Sequence, residues 1–316
     1  MTYSTGGVIQ ATDYNGFVST TSGGNINATW NSTYGQTALG TVSAGATVTA
    51  TQWATLNSTI SSMASHQGTS ITSRSNPTTG QTISILSNVA TDISNCYTNR
   101  FNAASLGSQF TGWTGTASKT TATGSGTASW TITFTDTITF ANTTAANNFF
   151  NAGGLIKTQF SKTSTGTSSD PEWNAFAAAC GSIFLSSTGA SKTINGGTYT
   201  GTTKVGGSGS PNILLTGTGF AQLTSSPVVI FKQFDIGGAY TSNYIQVSAS
   251  VSGSVLTLTT VWYDNGDPFG ADISGGTATT GITFGTAPAT VVTYYSPETT
   301  YLTNTWGSPT VASALS

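Results

Sequence analysis

Between residues 130 and 140 apolar and polar positions alternate without a break. Trp130, Ile132, Phe134, Ile138 and Phe140 fall on one side; Thr131, Thr133, Thr135, Thr137 and Thr139 fall on the other. Asp136 is the one polar residue on the apolar side. A period of two is the signature of a strand, and threonine and aromatic residues favour that conformation. Residues 144–152 then read as a short helix ended by Gly153-Gly154, and 155–161 as a second strand. Ser169-Asp170-Pro171-Glu172 reads as a helix start: a capping residue, a proline where no N–H is needed, an acid in the first turn. Trp173, Phe176, Ala177 and Cys180 continue at helical spacing, Gly181 stops the run, and 182–187 is a third strand. The expectation is a three-stranded sheet carrying two short helices over residues 129–190.

Upstream the period changes. A short helix is predicted near 11–18, with Tyr14, Phe17 and Val18 apolar, and a short strand at 42–49. Thr49 with Gln52 three residues on forms a capping box. Trp53, Leu56, Ile60 and Met63 then make one apolar stripe, and Gly68 is the natural stop. A second helix, 82–104, carries Ile83, Leu86, Ala90, Ile93, Tyr97 and Phe101 at spacings of three and four. Together they make a helical hairpin. Each stripe packs on the other, or the longer helix also meets symmetry mates; on the second reading Trp53, Leu56, Ile60, Met63, Ile93 and Tyr97 are assembly residues. Residues 107–128, rich in Gly, Thr and Ser, read as a linker. Downstream lies a hairpin over 192–205 about Asn195-Gly196-Gly197, then strands at 213–216, 228–234, 244–251, 255–263 and 290–295. The predicted class is α+β: an N-terminal helical hairpin region (1–106), the linker, a central α+β unit (129–190) and a mainly antiparallel β-rich region (191–316).

Composition changes the picture at one point. Only 6% of the 316 residues are charged, net charge is −2, and aromatics make up 10%. The usual charged fraction is about a quarter. Disorder goes with high net charge and few aromatics, so this chain folds. A neutral hydroxyl-rich exterior is cheap to desolvate and lacks the self-repulsion that keeps monomers apart. It reads as a surface meant for contact. The eight Lys and Arg form no basic run, which argues against nucleic acid. No apolar run approaches the ~20 residues of a membrane span, and the N-terminus shows no export signal. Cys96 and Cys180 make no framework; two buried thiols are favoured over one disulfide.

Chemistry finds few candidates. His66, the only histidine, sits near a helix end and reads as a structural residue or a C-terminal helix charge. No zinc, Cys-His or Ser-His set has members, so no catalytic, cofactor-binding or metal residue is expected. Asp264, Asp267 and Asp272 with Asn265 could offer oxygens to calcium, but a turn explains them better. Asp170 and Glu172 are explained by their helix start. The threonine row at 131–139 resembles an ice-binding face, but such a face needs rows on stacked strands and only one is visible. Asn27, Asn31, Asn57 and Asn142 sit in glycosylation-type triplets of the kind that arise by chance in such a chain. Trp113, Trp130, Trp173, Trp262, Tyr294 and Tyr295 could stack on sugars, with a core or interface role favoured. Trp262, Tyr294 and Tyr295 are the glycan-contact candidates.

Several short phrases resemble virion structural proteins of tailed phages from aquatic environments. They are Tyr3-Ser4-Thr5-Gly6-Gly7 to Asp13-Tyr14-Asn15, Tyr34-Gly35-Gln36-Thr37, Val48-Thr49-Ala50-Thr51-Gln52-Trp53, Phe149-Phe150-Asn151-Ala152-Gly153-Gly154 and Leu302-Thr303-Asn304-Thr305-Trp306-Gly307. The resemblance is to proteins called tail, tail-fibre or baseplate proteins, and it brings no catalytic residues. It implies a non-enzymatic virion subunit, assembled in the host cytoplasm. Its partners would be copies of itself, other virion proteins and host-surface polysaccharide. A capsid decoration protein and a carbohydrate-binding virion module are the alternatives. A depolymerase using the loop from Asp264 to Asp272 is the remote one.

Overall fold

The computed structural model describes residues 10–19, 24–78, 86–116, 130–162, 170–235, 241–265 and 289–316. Four helices come first: α1 (Ala11–Val18), α2 (Ile26–Trp30), α3 (Ala50–Gln67) and α4 (Leu86–Thr98). The capping box of α3 forms as expected: Gln52 N donates to Thr49 Oγ1 at 3.2 Å and Thr49 N to Gln52 Oε1 at 2.8 Å. Gly68 ends the helix at φ +70°, a conformation that favours glycine. Residues 42–49, expected as a strand, are a loop. The Asn15 amide takes both backbone groups of Val42, at 2.7 and 2.8 Å, so no strand ladder can use them. Helix α4 ends at Thr98, before the predicted 104. Beyond it Ala103 N donates to Thr193 O at 3.0 Å and Thr193 N to Asn102 Oδ1 at 3.0 Å, so the chain is drawn out to bond a strand. Residues 82–85, including Ile83, lie outside the described residues.

The remaining elements follow in order. They are β1 (Leu106–Thr116), β2 (Trp130–Thr139), α5 (Thr143–Asn151), β3 (Leu155–Ser161), α6 (Asp170–Cys180), β4 (Ser182–Leu185), β5 (Ser191–Ile194), β6 (Gly197–Thr200) and β7 (Thr202–Val205). Then come β8 (Ile213–Leu214), β9 (Val228–Phe234), β10 (Tyr244–Ser252), β11 (Val255–Asp264), β12 (Ala289–Pro297) and β13 (Thr310–Leu315). One sheet has the order β1-β12-β3-β4-β7, the other β13-β2-β11-β10-β9-β8, and β5-β6 is a hairpin. Among the described residues the ladders between these strands are antiparallel, and one isolated parallel bridge joins Ala103 and Ile194. The fold is α+β with most helices N-terminal. In the hairpin, Asn195 and Gly196 both take positive φ, at +47° and +75°, the turn that Asn-Gly signals.

The two large sheets pack face to face. Trp262 of β11 is fully buried, 5.8 Å from Trp173 of α6 and 6.3 Å from Phe160 of β3. Phe160 in turn stacks on Phe231 of β9 at 6.0 Å. This corrects the expected three-stranded unit. Strand β2 pairs with β11 and β13, while β3 pairs with β12 and β4. The inward rows of β2 and β3 cover one core from opposite sides. The described part of the expected linker is also corrected: residues 106–116 are the edge strand β1. Its glycines serve close approach. A Cβ on Gly107 would lie 2.9 Å from Pro297 O, and one on Gly112 2.6 Å from Val292 O and 3.0 Å from Val311 of β13. Strand β1 of one sheet thus lies against β13 of the other. Thr202 N donates to Leu215 O across the opposite edge at 3.4 Å. Sheet edges that cover one another do not invite further strands.

The apolar stripes of the helices face inward. Trp53, Leu56, Ile60, Met63 and Ile93 are all buried, and the rings of Tyr14 and Phe17 meet Trp53 edge-on at 5.8 and 5.9 Å. Burial within the chain corrects the reading of these residues as assembly contacts. Tyr97 is half-buried, with the Arg100 guanidinium 4.1 Å over its ring. One continuous apolar cluster runs from Ala11 to Trp306, through helices and sheets alike. Helices and sheets therefore share a core.

Candidate functional site

Two surfaces stand out. The first is the outward face of the six-stranded sheet. Alternation along β2 sends Ile132, Phe134, Asp136 and Ile138 inward and the five threonines outward. Pairing then sets Thr257 opposite Thr137 and Thr259 opposite Thr135. Ser250 and Ser248 stand opposite Thr257 and Thr259 on β10. On the other side Thr310, Ala312 and Ala314 of β13 stand opposite Thr139, Thr137 and Thr135. Four strands together present hydroxyls, alanines, valines and the Gln246 amide without one charged side chain. The hydroxyl row is therefore not single, as expected from sequence, but repeated on neighbours. An antiparallel sheet twists by about 20–25° per strand, so the rows make a warped face and no flat lattice. At its far corner Tyr244 and Tyr263 stack at 4.7 Å, and Lys232 Nζ lies 3.6 Å over the Tyr244 ring.

The second is a cleft of about 200 Å³ where β1 leaves β12. Leu106 pairs with Pro297 and Gln109 with Tyr295, so Gly107 and Ser108 oppose Ser296 alone. This is a bulge, which bends the strand and re-aims its side chains. Phe110 is 41% exposed and stacks on Tyr294 at 4.9 Å with 20° between the planes. Glu298 follows β12. Its Oε1 accepts from Thr300 Oγ1 at 2.8 Å, Thr299 N at 2.9 Å and Thr300 N at 3.1 Å. These hydrogen bonds, the Thr300 hydroxyl first, hold its carboxyl below the ordinary range. Asn304 Oδ1 accepts from Gly307 N at 2.7 Å and Trp306 N at 3.2 Å. The arrangement offers one flat apolar ring, one fixed negative charge and an amide donor.

The residues singled out from sequence lie elsewhere. Trp262 is fully buried, with its indole Nε1 donating to Thr290 Oγ1 at 3.2 Å. It cannot stack on a sugar, and Tyr294 is also buried, with the Phe110 ring stacked over it at 4.9 Å. Tyr295 is half-buried beneath Lys157 and Phe184. Burial corrects the glycan-contact reading of Trp262 and Tyr294. His66 bonds to Ala152 O at 3.1 Å, and burial pushes its imidazole down to about 4, so it is a neutral structural histidine and carries no helix-end charge. Cys96 and Cys180 are free and buried. Asp264 ends β11 and is buried; Asp267 and Asp272 lie outside the described residues. Among the described residues no three His, Cys, Asp or Glu gather as metal ligands. Asn27 is buried, bonding Leu39 O at 2.9 Å, and Asn142 caps α5 through Ala145 N at 2.8 Å. The cleft was missed because Phe110 lay in the supposed linker. The available signal was Glu298, the sole acid after Asp272.

No family model, curated protein or solved structure matches this chain. Three short stretches of the sequence, around residues 33–36, 148–151 and 303–305, meet in space. Gln36 Nε2 donates to Thr303 O at 2.8 Å, and Thr303 N to Gln36 Oε1 at 3.0 Å. Thr305 Oγ1 donates to Tyr34 O at 2.6 Å, and Asn151 Nδ2 to Thr33 O at 3.2 Å. Gly35, at φ +69°, has no room for a side chain against Asn148. The three stretches are thus the seam joining helices to sheets. Their residues are explained by folding before any ligand is invoked.

Proposed function

We propose that this chain is a structural subunit of a bacteriophage virion, associated with the tail at its baseplate or fibre end, and without enzymatic activity. The observation that carries the reading is the uncharged face of β13, β2, β11 and β10. A soluble monomer ordinarily keeps interspersed Lys, Arg, Asp and Glu on such a face. Threonine, serine and valine lose little on leaving water, whereas buried unpaired charges cost several kcal/mol each. A face of this composition is suited to contact with other copies and companion proteins of an assembled particle. The phrase-level resemblance supports the same reading. Among the described residues no helix is long and apolar enough to cross a membrane.

Antibody against this chain, followed by gold labelling of tailed particles from a culture producing it, tests the proposal. Label at the tail tip is the expected result. Label over the heads would select a decoration protein instead. Particles that carry none of the protein would end the virion reading.

A further inference from the structure

We propose that the cleft at the β1 bulge is a saccharide site that takes a single neutral or amino-bearing sugar ring. The inference goes beyond assembly and adds a surface-recognition function. Three features converge. Phe110 turns one ring face to Tyr294 at 4.9 Å and remains 41% exposed, so its other side can meet the C–H face of a pyranose. Aromatic rings offer that kind of apolar plane at small entropic cost. Glu298 stays ionised, with all three of its described hydrogen bonds on Oε1. Among the described residues Oε2 takes none and is available to sugar hydroxyls, where a charged acceptor makes the stronger bond. Asn304 has Oδ1 committed to backbone N–H groups, and its Nδ2 reaches Gly307 O only at 3.5 Å. That NH₂ is a donor with its bonding capacity largely unused.

The same features exclude other ligands. Among the described residues the lining contains a carboxylate and no cation, which disfavours phosphate, sulfate and acidic sugars. One carboxylate is too few oxygens for calcium. Drug-sized ligands occupy roughly 300–1,000 Å³, so about 200 Å³ suits one ring with its chain continuing into solvent. The bulge is what makes room, since regular pairing would close β1 onto Ser296.

The test is a ligand-detected NMR titration of the full chain. The probes are methyl glucoside, methyl galactoside, glucosamine, N-acetylglucosamine, N-acetylneuraminic acid and choline. At least one neutral or amino sugar should bind with Kd of about 1 mM. Phe110→Ala should weaken it roughly tenfold. Glu298→Gln should weaken it several-fold and relieve the discrimination against N-acetylneuraminic acid. Val205→Ala, on the opposite sheet edge, should change nothing. Circular dichroism and melting establish that each variant is folded, and should Phe110→Ala fail to fold, Glu298→Gln alone decides. Binding of no sugar, binding of choline alone, preference for the acidic sugar, or full affinity in the folded variants would overturn the site. Such a failure would leave the particle-labelling result untouched, because that result does not depend on the cleft.

Discussion

Replacing Trp262 by alanine will lower the melting temperature by roughly 10 °C. The indole is fully buried between the sheets, in contact with Trp173 and Phe160. Its removal leaves a large void and strips Thr290 Oγ1 of a donor at 3.2 Å. Truncating a buried tryptophan costs about 3–5 kcal/mol, and each kcal/mol moves the midpoint about 2–4 °C in a chain of this size class. Tyr263→Ala, on the outward face of the same strand, should stay within about 1 kcal/mol. Differential scanning calorimetry of both variants checks this. If Trp262→Ala melts with the wild type, the sheets do not pack as described.

Trp262 also shows what the sequence could and could not convey. Its place on a strand was legible from the alternation of residues 255–263. Which side of the sheet was covered was not, because that depends on β3 and α6, more than 80 positions earlier in the chain. Local patterns carried most elements: the Thr49–Gln52 cap, the Asn195-Gly196 turn and the row on β2 all form as read. Pairing partners were beyond reach. Strand β2 bonds β11 and the C-terminal β13, and β13 itself is too weakly apolar to announce a strand. Glycines misled in one direction. Gly107 and Gly112 resemble a flexible linker, yet each is small because another backbone approaches closely. The cleft followed the same logic, since the bulge exists only through the β1–β12 register.

Below neutral pH two buried groups oppose each other. Burial pushes His66 down to about 4 from 6.5, so the unfolded chain takes up that proton first. The stability it contributes is full above pH 6.5 and is lost as pH falls toward 4. Burial pushes Asp136 up to about 6 from 3.8, against the lowering effect of the Ser313 hydroxyl bonded to Oδ1. Its stability is full below pH 3.8 and is lost as pH rises through 6. Each shift corresponds to as much as about 3 kcal/mol, and between pH 4 and 6 the two slopes have opposite signs. Asp136→Asn should therefore unmask the His66 slope, with stability falling as pH drops from 6.5 to 4. His66→Gln, which retains a donor for Ala152 O, should unmask the reverse, with stability rising over the same descent. Melting temperatures of the two variants at pH 4, 5 and 6.5 read this directly. Parallel curves would show that one of these groups is not buried as described.

The central claim is that the neutral sheet face exists to be covered. Sedimentation velocity over a hundredfold range of concentration, on the wild-type chain and on Thr135→Lys/Thr259→Lys, tests it most directly. The two threonines are cross-strand neighbours at the middle of the face, and paired lysines there repel each other and resist desolvation. The wild type should assemble with rising concentration, and the double variant, equally folded, should stay a monomer. A wild-type chain that remains monomeric throughout, or a double variant that assembles just as well, would contradict the claim.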